Sequence, residues 1–457
     1  MKVLLISPNI EALPDPVFPI GLAYIAAALD KTGIPYQVLD LFFEQDPDSS
    51  IDLAINSFNP DIVALSLRNC DNVSYPNYIS YIPFCQHVVK TIRKSSSAFI
   101  VLGGSGFALL PEPILKFLGA DFGIVGEGEK AFIELIDQIE KNKSPAHEFK
   151  TGIVADYDEV IQDLDSSPVP DRSKFDNGAY LTQGGMGNIQ TKRGCPFNCI
   201  YCTYPVIEGK KIRLRNPESV CDEIESLLGY GIDSLFFVDN SFNYPVDHSM
   251  AVCKEIITRR LPIKWSCYAN PKFITPELVE LMIEAGCTGV EFGSDAANDT
   301  MLASLGKNFT VKDLRTSSLI CRESGMSFCH SLLLGGPGET METVNQTLDE
   351  ILGMSPTAAI CMVGIRIFPK TRLSIIAEQE GMINSGEDFL NPVFYVSDSI
   401  KGEILAFLED FSKDHHTWIL PGMNINMNAS LQKKLRRFGI KGPLWEYMKT
   451  GKKFRKQ

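Results

Sequence analysis

The chain has 457 residues, 44% of them hydrophobic, and a net charge of −13. That length exceeds one ordinary core, so two or three domains are expected. The acidic balance argues against broad nucleic-acid binding. No apolar run approaches the ~18 residues a membrane span needs. The start, Met1-Lys-Val-Leu-Leu-Ile-Ser7, reads as a first strand and not as an export signal. The twelve cysteines are therefore expected in a reducing cytoplasm, outside any disulfide framework.

Residues 1–140 alternate apolar strands with helical stretches. Lys2–Ser7, Tyr36–Leu41, Ile62–Leu67, Phe99–Gly103 and Phe122–Val125 read as strands. Leu22–Lys31, Ile79–Lys94 and Lys130–Lys141 read as helices. Strands apolar on both faces and joined by helices predict a doubly wound parallel sheet, an α/β fold. Such sheets bind ligands at the carboxyl ends of their strands. Those ends are Pro8-Asn9, Arg68-Asn69, Gly103-Gly104-Ser105-Gly106 and Gly126-Glu127-Gly128-Glu129. Residues 141–185 are polar, carry Pro168 and Pro170, and read as a linker.

A second strand–helix series fills residues 186–370. Its strands are Asn188–Thr191, Ser234–Val238, Ile263–Tyr268, Gly289–Gly293, Ser327–Leu334 and Ile360–Phe368. Six such units predict a parallel barrel, complete or partial, with its chemistry at the C-terminal strand ends. Residues 371–457 read as a small C-terminal subdomain closing over the barrel mouth. From Lys433 to Gln457 there are ten Lys or Arg and one acid, Glu446. The plain reading of this tail is a solvated terminus. The sharper one is a membrane-surface docking segment, because Phe438, Leu444, Trp445 and Phe454 lie among the cations.

After the first barrel strand comes Thr191-Lys-Arg-Gly-Cys-Pro-Phe-Asn-Cys-Ile-Tyr-Cys-Thr-Tyr-Pro205. Cys195, Cys199 and Cys202 have the spacing C-x3-C-x2-C. Three thiolates can hold three irons of a [4Fe–4S] cube and leave the fourth open, whereas an electron-transfer cluster takes four cysteines. A zinc site would want a fourth Cys or His nearby, usually in a second pair; the nearest downstream His is His248, and no CxxC pair follows.

The loop resembles the radical S-adenosylmethionine (SAM) superfamily, in which the open iron binds SAM and one electron splits it to a 5′-deoxyadenosyl radical. The resemblance extends to the later strand ends. Asp239 and Asn240 in Phe237-Val-Asp-Asn240 fall where that family binds the SAM amino group. Glu291 and Ser294 in Gly289-Val-Glu-Phe-Gly-Ser-Asp295 fall where it holds the ribose. Gly335 and Gly336 lie where it lines the adenine and sulfonium, and Arg366 ends the sixth strand. Arg213 and Arg215 could pair with the SAM carboxylate or equally be solvated. Cys329 and His330 are candidates to face the barrel lumen.

The first domain is similar to the cobalamin-binding domain fused to many radical SAM enzymes, through Pro19-x-Gly-Leu-Ala, Val101-Leu-Gly-Gly-Ser-Gly106 and Gly123-Ile-Val-Gly-Glu-Gly-Glu129. This implies a cobalamin bed at Arg68, Asn69, Gly103, Gly104, Ser105, Gly126, Glu127 and Gly128. The D-x-H-x-x-G motif is absent, which argues against a histidine below the cobalt; Arg68 or Asn69 is expected there. Together the resemblances imply a cobalamin-dependent radical SAM methyltransferase acting on an unactivated carbon. The alternatives are a cyclisation or rearrangement enzyme with the same cofactors, or a non-catalytic redox sensor. An external electron donor of flavodoxin or ferredoxin type is implied, and a small-molecule or lipid-like substrate.

Overall fold

The computed structural model describes residues 1–141, 152–155, 160–426 and 429–448. The first sheet is built from β1 (Val3–Ser7), β2 (Tyr36–Asp40), β3 (Ile62–Ser66), β4 (Phe99–Gly103), β5 (Phe122–Ile124) and β6 (Gly152–Ala155). All pairs are parallel, in the order β2-β1-β3-β4-β5-β6. The sixth strand comes from the segment expected to be linker. Alternation along β1 explains why the strand is apolar throughout. Leu4 and Ile6 enter a core with Ile51, Val88 and Ile114. Val3 and Leu5 enter the opposite core with Leu22, Phe132 and Leu135. Helices thus cover both faces, as a doubly wound sheet requires. The helix Pro47–Phe58 was not anticipated, although Asp46 caps it and Pro47 opens it.

The second sheet contains β7 (Gly187–Ile189), β8 (Ser234–Phe237), β9 (Lys264–Ala269), β10 (Cys287–Asp295), β11 (Ser327–Leu334) and β12 (Ala358–Val363). They pair in chain order, all parallel. A short seventh strand, β13 (Trp418–Ile419), adds beside β12 from the C-terminal region. Among the described residues no helix is long and apolar enough to cross a membrane.

On β11 the side chains alternate. Cys329 packs with Ala358 and Trp445. His330 turns the other way, toward the covering helices. It is fully buried between Ser294 Oγ at 2.7 Å and Ser318 Oγ at 3.0 Å. Cys329 therefore faces the lumen and His330 does not. Burial pushes the His330 pKa down to about 3. A depressed histidine stays neutral in the fold and takes a proton once unfolded. Stability from this residue is present above the unfolded pKa of 6.5 and lost as pH falls toward about 3. The slope is up to about 1.4 kcal/mol per pH unit. Urea unfolding between pH 6.5 and 5 should show this loss, and His330→Gln should flatten it; an equally steep slope in the variant would refute the assignment.

The domains meet through strand-end loops. Arg366 Nε bonds Asp71 at 3.0 Å, and both side chains are buried. Asn188 Nδ2 donates to Phe18 O at 2.8 Å, and Asn77 Nδ2 to Gly422 O at 2.9 Å. These contacts turn the carboxyl ends of the first sheet toward the barrel.

Candidate active site

The cysteine loop leaves β7 through a two-residue ribbon, Lys192–Arg193 paired with Arg213–Leu214. Gly194 then takes φ +93°, and a Cβ there would lie 2.2 Å from Lys211 O. Only glycine fits this turn. Cys195 N–H donates to Gly209 O at 3.0 Å, Ile200 N–H to Leu305 O at 3.0 Å and Cys202 N–H to Cys199 O at 3.2 Å. Burial raises all three thiols, Cys202 to about 12. Among the described residues no three His, Cys, Asp or Glu groups converge on one metal ion. A cube asks only that each of the three thiolates hold a different iron. The Lys307 cation, on a side chain only 7% exposed, lies beside Cys199 and Cys202 and opposes the rise of both. The donor set therefore fits a [4Fe–4S] cluster.

A cavity of about 1380 Å³ separates the two sheets. The cysteines do not form its wall, but Arg193, Tyr204 and Glu208 on either side of them do. The first sheet contributes Arg68, Asn69, Gly103, Gly104, Ser105, Gly126, Glu127 and Gly128. The barrel contributes Phe236, Tyr268, Glu291 and Met362. The volume exceeds the roughly 300–1,000 Å³ of a single drug-sized site, which suits more than one large cofactor. No histidine lines it among the described residues. Arg68 lines it and makes no ion pair among the described residues. Burial lowers its pKa, while Tyr268, Tyr204 and Glu11 work in the opposite direction.

Several expected ligands are already committed elsewhere. Asp239 accepts from Thr191 N at 2.7 Å, Thr191 Oγ1 at 2.6 Å and Lys192 N at 3.3 Å. It splints the loop through these three bonds. Asn240 Nδ2 donates to Glu208 Oε2 at 3.1 Å, and Gly194 N–H donates to the same oxygen at 3.0 Å. Ser294 is buried against His330. The amides of Gly335 and Gly336 donate to Glu339 Oε2, at 2.5 and 3.1 Å. All the donor nitrogens of Arg366 are taken by Asp71, Ile367 O and Phe389 O. Arg213 bonds Glu127, Ile161 O and Glu208 O, and Arg215 pairs with Glu223. Glu127 lines the cavity, but its carboxylate is held by Arg193 at 3.2 Å and Arg213 at 2.7 Å.

Glu291 remains available. It accepts from Ser331 Oγ at 2.6 Å and opens to the cavity. Burial raises its carboxyl, and Ser331 and Trp445 counter that rise. Lys307, Asp295 and Tyr201 were not anticipated. Lys307 Nζ lies 2.8 Å from Asp295 Oδ2, and Tyr201 Oη donates to the same oxygen. The tail, read either as a solvated terminus or as a membrane-docking segment, is described only as far as Met448. Trp445 is buried, and Arg436 is paired with Asp15 at 2.7 Å. Phe438 alone of the expected aromatics is strongly exposed, and Phe454 lies outside the described residues.

The signature of the B12 binding domain matches residues 6–136, and that of the radical SAM superfamily matches residues 189–351. The chain is a radical SAM enzyme with a B12-binding domain. The enzyme is 27% identical over 451 residues to the tryptophan 2-C-methyltransferase of Streptomyces laurentii, covering 82% of this chain and 74% of that one. It is 28% identical to a methyltransferase of Pyrococcus horikoshii, covering 76% and 77%. Among solved structures it matches the radical SAM methyltransferase TsrM of Kitasatospora setae, bound to tryptophan and a SAM analogue. That match has TM-score 0.89 and 26% identity, and covers 100% of this chain and 98% of that one. The same protein with cobalamin and a [4Fe–4S] cluster matches at TM-score 0.86.

Proposed function

We propose that the enzyme methylates an unactivated carbon of a small, partly aromatic molecule. The observation that carries this reading is the single chamber walled by both sheets' carboxyl ends. When bound, cobalamin supplies a methyl group, while the cluster with SAM supplies an organic radical able to abstract hydrogen from carbon. The chain's own residues position the reactants and keep water out. Cys195, Cys199 and Cys202 hold the cluster. Glu291, steadied by Ser331, is placed to accept from the vicinal hydroxyls of the SAM ribose. Asn69, Gly103, Gly104, Ser105, Gly126 and Gly128 offer a low bed for the corrin.

Arg68, which lines the chamber, would lie against the bound cobalamin. A guanidinium has no lone pair to give a metal and does not lose its proton. It would therefore hold the cofactor without donating to its metal. Tyr204, Tyr268, Phe236 and Met362 give the chamber aromatic and apolar walls suited to a flat substrate. Tryptophan, bound by the structural relative, is the first candidate. Electrons come from an external donor of flavodoxin or ferredoxin type.

The test is anaerobic reconstitution with hydroxocobalamin and iron, a chemical reductant, methyl-labelled SAM and tryptophan. Label in the amino-acid product supports the reading. SAM cleavage with label absent from every product would assign cyclisation or rearrangement instead. Binding without cleavage under reduction would assign a sensor.

A further inference from the structure

We propose that residues 441–448 plug the N-terminal end of the barrel and that Trp445 positions Glu291 for its ligand from below. The second half of this proposal rests on the SAM reading above; the first does not. The segment's contacts are with the first residues of successive strands. Lys441 pairs with Asp233, just before β8, at 2.5 Å. Gly442 N–H donates to Gly185 O, ahead of β7, at 3.2 Å. Glu446 Oε1 accepts from Ser266 Oγ at 2.5 Å and Thr288 Oγ1 at 3.2 Å, near the starts of β9 and β10. Trp445 packs on Cys329 and Ala358, near the starts of β11 and β12. The C-terminal segment therefore closes the end opposite the cysteine loop, not the mouth where closure was expected.

The barrel is shaped to receive it. A Cβ on Gly289 would lie 2.9 Å from the Trp445 ring and 2.8 Å from Glu446 Oε1. Gly289 does not have positive φ, so the space is what requires glycine. Strand residues two apart share a face. Glu291 thus stands one pleat above Gly289, and Ser331 one pleat above Cys329. The Glu291–Ser331 pair rests on the layer that Trp445 fills. Trp445 is 6% exposed and lines the chamber, and its Nε1–H has no hydrogen-bond partner among the described residues. A buried indole donor is normally satisfied. Its neighbourhood to Glu291 is close enough to ease that carboxyl's burial, although short of a formed hydrogen bond. A ligand drawing Glu291 into place would complete the bond.

Cys329 reports the plug independently of any cofactor. It is fully buried beneath Trp445 in the intact fold. N-Ethylmaleimide labelling of the full chain, mapped by peptide mass spectrometry, should leave Cys329 unmodified. Trp445→Ala and Gly289→Val should each raise its labelling at least about tenfold, while Cys253, in the separate helix–sheet core, stays protected. SAM binding by equilibrium dialysis should weaken about tenfold in Trp445→Ala, the loss of one hydrogen bond to a charged group. Trp445→Phe should keep Cys329 protected and still weaken SAM. Cys329 as protected in both opened variants as in the parent would overturn the plug. Opening of Cys329 with unchanged SAM affinity would overturn the positioning role. If the parent itself binds no SAM, the SAM reading and the positioning role fall with it, and the labelling still decides the plug.

Discussion

Arg193→Met is expected to destabilise the fold by about 3–5 kcal/mol, the usual cost of stripping one partner from a buried ion pair. Arg193 lies two residues before Cys195 and is buried. Its Nη2 lies 2.8 Å from Glu129, in the first turn of the helix Gly128–Lys141, and its Nη1 3.2 Å from Glu127, just before that helix. Its Nε donates to Gln190 at 3.1 Å, and its guanidinium stacks on Tyr24 at 4.8 Å. The substitution keeps most of the volume and removes every one of these contacts. Glu127 would retain Arg213, but Glu129 would lose its ion pair, so most of the penalty falls there. Adding Glu129→Gln should return much of the loss, because an amide is cheaper to bury alone than a carboxylate. The same arginine ties the cysteine loop to the B12-binding sheet. Iron retained after reconstitution should therefore fall together with the denaturation midpoint. A midpoint shift equivalent to under about 0.5 kcal/mol, the range of an ordinary surface substitution, would contradict this account.

That pairing shows where sequence reading stops. The cysteine loop was legible because its chemistry is local: three ligands, a glycine and an aromatic within one turn of chain. The strand ends were legible because periodicity marks where a strand stops. The direction of a side chain at that end was not. Asp239 and Arg366 sit where SAM ligands were expected, yet one splints the loop and the other pairs with Asp71, 295 residues away. No local pattern announces such a partner. Ser294 was lost to parity: its hydroxyl points to the helix side, where His330 waits. The place of Trp445 was not legible because composition records the tail's charges and aromatics but not the hole that Gly289 leaves for its ring. A glycine inside a strand is itself a sign of close approach. Lys307 gave no such sign.

Lys307→Met should lower stability by about 3–5 kcal/mol as well, and it separates two roles of one charge. The Lys307 side chain is 7% exposed and Asp295 8%, so neither carries its charge into bulk water. Losing the ammonium leaves Asp295 with the Tyr201 hydroxyl as its remaining side-chain donor. Tyr201 lies between Cys199 and Cys202, so strain at Asp295 is passed to two cluster ligands. The ammonium also stabilises the thiolate form of both cysteines through space. The double variant Lys307→Met/Asp295→Asn tells these roles apart. Asp295 has φ +61°, a conformation asparagine tolerates well, so the backbone turn survives. With both charges gone, no buried ion is unpaired and most of the stability should return. The cation beside the cysteines stays absent, so iron retention should remain below the parent. Iron content by ferrozine assay and guanidinium unfolding of the iron-free chain measure the two quantities separately. Full recovery of iron in the double variant would show that Lys307 serves the cluster only by holding Asp295 and Tyr201 in place. Full iron and parent stability in Lys307→Met alone would remove both roles.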